Sequence, residues 1–373
     1  MKCDSIVYTF RGEITKRVDF KYSFISRFDR KSGFYVRSGV IKNGVETKED
    51  PFMASYPHLI DVGVMGHCIH GKSGLCNSAG IQCYQSGFIV SKENMSLDNF
   101  EKICIESEGL VDQIALGGRG DPDCHEYFED LLKICSKYHI IPNYTTSGLL
   151  INEEKAIITK KYCGAVAVSW YRSNYTIKAI NTFIKNGVKT NIHYVIDNIS
   201  IKEAILRLKN NDFPSGINAV IFLLFKPVGQ GKEEKMLNCN QKELIEFFNE
   251  CSKVHPFRIG FDSCFVPGVL KYMPNVIEHS LDTCEGGRFS MYISSDMIAL
   301  PCSFDQGMKY AFDINNANIY DAWNSRQFED FRNILRKSCP NCSMRKSCMG
   351  GCPLKKSIVL CDLKNNEEEE NEN

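Results

Sequence analysis

The sequence predicts an α/β fold: a mainly parallel sheet, open or curled into a barrel, between a β-rich N-terminal extension and a small cysteine-rich C-terminal domain. Three observations carry this reading. Strand-like and helix-like segments alternate with short connections from residue 58 to about residue 262, the pattern of a parallel sheet with its functional groups at the C-terminal strand ends. Residues 1–55 are instead rich in β-forming residues between polar turns. After about residue 262 the alternation stops and closely spaced cysteines take its place. A chain of 373 residues can bury one large core and a smaller one. The expected division is an extension over 1–55, a core over 56–262, a cysteine-rich domain over 263–362 and a disordered acidic tail over 363–373.

In the extension, residues 5–10, 18–22 and 33–41 read as strands, with Asn43-Gly44 as a hairpin turn. Its expected role is a cap on the core, with substrate docking as the alternative. Residues 58–65 have the apolar, β-rich composition of a buried strand. Ser96 is placed to cap a helix with Leu97, Phe100, Ile103 and Cys104 on its apolar face, and residues 113–116 follow as a strand. Asp123 and Glu126 form a capping-box pattern before Phe128, Leu131, Leu132 and Cys135 at helical spacing, with a strand over 140–145. The alternation continues through a strand over 165–170, a helix around Ile177, Ile180, Phe183 and Ile184, and a strand over 188–196. A helix over 201–208 and a strand over 217–225 come next, then a helix capped by Asn240 and Glu243 that runs to about Val254. Farther on, one helix is expected over 319–335, with Trp323, Phe328, Phe331 and Leu335 on its apolar face.

Lys+Arg and Asp+Glu both number 45, so no broad electrostatic field favours nucleic acid or an anionic membrane. Neither is an expected partner. No apolar run reaches the roughly 20 residues that cross a bilayer, and the first residues lack the apolar core of a signal peptide, so the expected compartment is the cytoplasm. Eighteen cysteines in that compartment argue for metal binding rather than disulfides. Cys104, Cys135, Cys163 and Cys251 fall in core patterns, and Cys3, Cys124 and Cys239 have no assignment.

The chemistry begins at the end of the strand over 58–65, where Cys68, Cys76 and Cys83 lie on one glycine-containing loop. Thiolates are soft ligands for zinc or iron–sulfur clusters, and three of them leave one ligand position open for reaction. His67 and His70 are alternatives to one of the cysteines as ligands. One strand later stands Gly117-Gly118-Arg119-Gly120-Asp121-Pro122, where glycines let backbone N–H groups approach a ligand.

In this order the motifs resemble those of radical S-adenosylmethionine enzymes, whose glycine-rich GGE motif holds the methionine amino group of the cofactor. Asp121 stands in the place of the usual glutamate. The resemblance extends to Thr145-Thr146-Ser147-Gly148, Val168-Ser169-Trp170 and Lys226-Pro227-Val228-Gly229 after later strands. Cys339-x2-Cys342-x5-Cys348-x3-Cys352, with Cys361 after it and Cys284 and Cys302 before it, resembles the seven-cysteine SPASM domain, which carries auxiliary [4Fe–4S] clusters. The stretches around Ala322-Trp323 and Met349-Gly-Gly-Cys-Pro353 also match its wording. Two departures stand out. The first cysteine motif is Cys-x7-Cys-x6-Cys in place of the family's Cys-x3-Cys-x2-Cys, and Met297 occupies a position where a turn glycine is expected. Longer loops cost little closure entropy, so the first departure does not forbid a cluster.

The resemblance implies a partial (β/α)6, TIM-like barrel followed by a SPASM domain. It implies that Cys68, Cys76 and Cys83 hold a catalytic [4Fe–4S] cluster, and that Gly117, Gly118, Gly120, Asp121, Ser147 and Ser169 contact S-adenosylmethionine. For the auxiliary clusters it implies Cys284, Cys302 and Cys352 on the nearer one, with Cys264 able to complete it, and Cys339, Cys342, Cys348 and Cys361 on the farther. The implied reaction is reductive cleavage of S-adenosylmethionine to a 5′-deoxyadenosyl radical that takes hydrogen from a ribosomally made peptide or protein, for example to form a thioether or carbon–carbon crosslink. The electron donor would be a flavodoxin or ferredoxin. Oxidation of a sulfatase Cys or Ser to formylglycine is the alternative within the class. Outside it stand a zinc-binding structural module and an electron relay. Asp262 and Asp282 are candidates for proton transfer by position alone.

Overall fold

The computed structural model describes residues 5–78, 80–277 and 280–361, so Cys3 and the tail expected over 363–373 lie outside it. Its largest element is a ten-stranded sheet. Seven of the strands, β7 (Leu59–Met65), β8 (Gln113–Gly118), β9 (Ile141–Thr146), β10 (Val166–Ser169), β11 (Thr190–Ile196), β12 (Ala219–Leu224) and β13 (Arg258–Phe261), lie side by side in chain order, each parallel to the next. Helices α3 (Leu97–Ser107), α4 (Phe128–Lys137), α5 (Glu153–Tyr162), α6 (Asn174–Lys185), α7 (Ser200–Asn210) and α8 (Lys242–Cys251) connect them. The α/β expectation therefore holds, with β13 added as a seventh parallel strand. On the far side of β7, β14 (Ser290–Ile293) pairs parallel to it, and β15 (Ile298–Leu300) and β16 (Phe312–Asp313) follow antiparallel.

Strand and helix faces pack by period. Ile60, Val62 and Val64 of β7 are fully buried on one face, and residues at helical spacing, such as Leu131, Leu132 and Cys135 of α4, close over the sheet. Two caps differ from expectation. Helix α4 starts at Phe128 without a side-chain cap, because Asp123 is buried against Lys155 and Glu126 accepts from Asn94. Helix α8 is capped at Gln241 without a side-chain hydrogen bond. The helix expected over 319–335 is two, α10 (Ile319–Trp323) and α11 (Arg326–Lys337), because Ser325 accepts from the Phe328 N–H and starts a new helix. Met297 keeps the left-handed turn in which glycine was expected, with φ of 61° and a fully buried side chain.

The extension is an antiparallel meander of β1 (Ile6–Arg11), β2 (Ile14–Asp19), β3 (Phe24–Asp29) and β4 (Tyr35–Arg37), followed by a hairpin of β5 (Ile41–Lys42) and β6 (Val45–Glu46) around Asn43-Gly44. Sequence pattern misplaced β2 and missed β3 because their buried faces are partly polar. Thr15, Arg17 and Asp19 of β2 all point inward. Asp19 accepts from the N–H and hydroxyl of Ser55, at 2.7 and 2.8 Å. Arg17 Nη1 lies 2.5 Å from Asp112 Oδ2 and its Nε donates to the Gly109 carbonyl, with both side chains almost inaccessible. Among the described residues no helix is long and apolar enough to cross a membrane.

Removing one partner of a buried ion pair leaves an uncompensated charge, so Arg17→Met should cost about 3–5 kcal/mol of stability. Denaturant midpoints check this, and Arg17→Met with Asp112→Leu should recover most of the loss.

Candidate functional site

The loop that leaves β7 is not extended chain. Cys68 begins α1 (Ile69–Ser73), with its Sγ accepting from the Gly71 N–H at 3.4 Å. Gly74 ends that turn at φ of 73°, α2 (Leu75–Ser78) carries Cys76, and the chain returns through Gly80 to Cys83. Two short helical turns thus take up the extra residues between the thiols. Burial and mutual repulsion with Cys68 and Cys83 push the Cys76 thiol up to about 12, and burial also raises Cys68, with Asp121 and Cys83 adding to it. All three thiols therefore lie within electrostatic reach of one another, at the C-terminal end of the sheet. Such a set suits a positively charged occupant that relieves the repulsion.

Glycines fix how closely the neighbouring segments press on this loop. A Cβ at Gly120 would stand 2.7 Å from the His67 carbonyl oxygen, and one at Gly87 3.0 Å from Cys68 Cβ. Gly229, in the Lys226–Gly229 stretch after β12, would place a Cβ 2.2 Å from the Tyr84 carbonyl, and the Gln230 N–H donates to the Cys83 carbonyl at 3.0 Å. That stretch is the dock for the third cysteine.

Asp121 stands at the centre of the strand ends. Its Oδ1 accepts from the Ser147 N–H at 2.9 Å, and its Oδ2 lies 2.5 Å from Ser147 Oγ and 2.7 Å from His70 Nε2. One carboxylate thereby joins the cysteine loop, the end of β8 and the end of β9. Burial lowers His70, but the hydrogen bond and charge of Asp121 outweigh it and the net shift is upward. The other ring nitrogen, Nδ1, is buried without a partner among the described residues. Gly117 faces open space within 4 Å of where a Cβ would be, while Gly118 sits at φ of 99° against Gly63. Ser169 ends β10 beside Tyr171, whose hydroxyl reaches Cys76. Tyr171 carried no sequence signal beyond its place after Trp170.

A second set of thiols lies across the sheet mouth. Cys264, Cys284, Cys302 and Cys352 line one cavity of about 730 Å³. Cys264 follows β13, ahead of α9 (Val266–Tyr272), so the added strand is what delivers it. Cys264 and Cys352 share a hydrogen bond that keeps the proton on Cys264 and lowers Cys352; burial pushes Cys284 up to about 12 and raises Cys302. Lys226 Nζ, paired with Asp262 at 2.6 Å, places positive charge near Cys264 and Cys352. Farther out, Cys348 ends α12 (Arg345–Cys348), where burial raises it to about 11 with Cys361 and Cys339 adding repulsion. Cys342 lies three residues after Cys339, joined to it by a backbone hydrogen bond.

Of the proposed proton carriers, Asp262 is held by Lys226 and Asp282 by Arg37 at 2.7 Å. Among the described residues, the one trio of ligand-type groups with atoms within 4.8 Å of each other is Asp121, Asp123 and Cys124, where Lys155 already supplies a cation 3.2 Å from Asp123.

Residues 284–349 match the SPASM iron–sulfur cluster-binding domain. No curated protein matches the chain. Among solved structures, SuiB of Streptococcus suis superposes with a TM-score of 0.65 at 15% identity, over 96% of this chain and 99% of that one. The same protein bound to its precursor peptide SuiA gives 0.62 at 15% identity, over 95% and 100%. Native anSMEcpe with bound AdoMet gives 0.58 at 17% identity, over 84% and 96%. At these identities the likeness establishes a shared fold.

Gly229→Ala should cost about 1–3 kcal/mol, since the left-handed backbone and the contact with the Tyr84 carbonyl both resist a side chain. Hydrogen exchange should quicken at residues 82–86 while the strands of the sheet keep their protection.

Proposed function

We propose, from a chain with the fold of radical S-adenosylmethionine enzymes and a SPASM iron–sulfur domain over residues 284–349, that this protein is a peptide-modifying enzyme of that class. The observation that carries the reading is the convergence of Cys68, Cys76 and Cys83 beside the Gly117–Asp121 turn at the mouth of a parallel sheet. The residues fit the implied cofactors: three mutually repelling thiols suit an iron–sulfur cluster, and the open space at Gly117 admits a ligand.

Cys68, Cys76 and Cys83 would hold the catalytic [4Fe–4S] cluster, and Gly117, Gly118, Gly120, Asp121, Ser147 and Ser169 would receive S-adenosylmethionine. Cys264, Cys284, Cys302 and Cys352 would hold the nearer auxiliary cluster, and Cys339, Cys342, Cys348 and Cys361 the farther. When bound, these groups supply one-electron cleavage of S-adenosylmethionine and removal of a hydrogen atom from an unactivated carbon.

The chain's own part is positioning and exclusion. Ser147 and His70 use about three of the roughly four acceptor sites of Asp121, which orients the carboxylate and leaves one for an amino group. Tyr84, stacked on Phe304 at 4.5 Å, and Tyr292, whose hydroxyl lies over Gly63 and Gly118, put aromatic walls beside Cys83 and the Gly117–Gly118 turn. Such walls keep water from a reactive intermediate. Lys226 lowers the cost of ionising Cys264. A peptide substrate is supported by the solved complex of SuiB with SuiA, a protein of the same fold with its precursor peptide.

Anaerobic reconstitution should load about twelve irons as three cubanes, and dithionite with S-adenosylmethionine should yield 5′-deoxyadenosine. Changing Cys68, Cys76 and Cys83 together to Ala should leave about eight irons and no 5′-deoxyadenosine. Zinc in place of iron would overturn the reading.

A further inference from the structure

Asp61 lies in the middle of β7, on the face opposite the fully buried Ile60 and Val62, opposite Tyr292 of β14 and Ala115 of β8. It opens into the same cavity of about 730 Å³ as Cys264, Cys284, Cys302 and Cys352. Among the described residues it has no hydrogen-bond or ion-pair partner, and burial alone pushes its carboxyl up to about 7. Asp61 is half-buried at the cavity wall, and a carboxylate held there without a partner is a ready acceptor for a cation that enters the cavity.

The neighbouring charges do not supply that partner. Lys226 is bound to Asp262, and Arg119 donates to the carbonyls of Gln85 and Gly66. His193, on β11 of the same sheet, is pushed down to about 4 by burial and is neutral near pH 7. Tyr84 and Tyr292, the ionisable groups facing Asp61, are both raised by burial and carry no positive charge. The four thiols, once ionised, add only negative charge. Aromatic surface is close by: Phe304 lines the cavity, with Tyr84 stacked on it and Lys226 Nζ 4.6 Å from its ring centre. The cavity lined by Cys264, Cys284, Cys302 and Cys352 therefore combines an unpaired acid at its wall with apolar surface suited to methylenes.

We propose that this chamber receives a basic side chain, the ammonium of a peptide lysine, with its charged end on Asp61 and its methylene stem along the Phe304 side of the cavity. The inference rests on the peptide-modifying reading and names the side chain that the chamber takes.

The test uses the iron-loaded, oxidised holoenzyme with S-adenosylmethionine and two capped tripeptides, acetyl-Gly-Lys-Gly-amide and its norleucine counterpart, titrated calorimetrically at pH 8. The lysine peptide should bind about tenfold or more tightly than the norleucine peptide, the difference expected of one hydrogen-bonded charge pair. Asp61→Asn should bring the ratio close to one. In wild type the ratio should fall as pH is lowered from 8 through about 7, because a protonated Asp61 no longer pairs with a cation; this arm needs no variant. Equal binding of the two peptides by wild type, or a lysine preference unchanged in Asp61→Asn, would overturn the proposal. Formation of 5′-deoxyadenosine by wild type under dithionite is followed in parallel. Cleavage without a lysine preference would sink this inference alone, whereas a lysine preference without cleavage would sink the radical reading and leave the subsite.

Discussion

The Asp121 carboxylate is the interaction on which the site depends. Its bonds to His70, to the Ser147 N–H and to the Ser147 hydroxyl join the cysteine loop to the ends of two adjacent strands. Charge-assisted hydrogen bonds of this kind are among the stronger ones, and in a buried setting each holds its partner in one orientation. Without that hub, the loop between Cys68 and Cys83 would rest on two short helical turns and the glycine contacts at Gly87, Gly120 and Gly229. The sheet delivers the strand ends, the carboxylate ties them, and the thiols come together as a result.

The second half of the molecule is arranged around the same mouth. Strand β13 extends the parallel sheet by one and brings Cys264 to Cys284, Cys302 and Cys352, while β14 adds itself to the opposite edge and returns the chain to β7. These four thiols line a cavity in which, among the described residues, Lys226 is paired with Asp262 and Asp61 has no partner.

Much of this was legible in the sequence because period and spacing are local. The alternation from β7 to β12 follows from apolar runs and helix faces, and the C-terminal cysteines have ligand spacing. Strands β2 and β3 were not legible, since an inward Arg17 and Asp19 find their partners in Asp112 and Ser55, far along the chain. The Ser325 cap inside an apolar helical pattern was overridden by the periodicity on either side of it. The partners of Asp121 were hidden for the same reason: nothing near residue 121 announces that Ser147 and His70 meet it. Tyr171 and Asp61 carry no motif, and only the sheet register gives them a role.

The central claim is that Cys68, Cys76 and Cys83, despite their wide spacing, build a cluster site that S-adenosylmethionine reaches. Electron paramagnetic resonance of the dithionite-reduced protein, with and without S-adenosylmethionine, tests it most directly. The cofactor should shift one cluster signal, and this signal should be missing when the three cysteines are alanine. Full iron content with a spectrum indifferent to S-adenosylmethionine would contradict it.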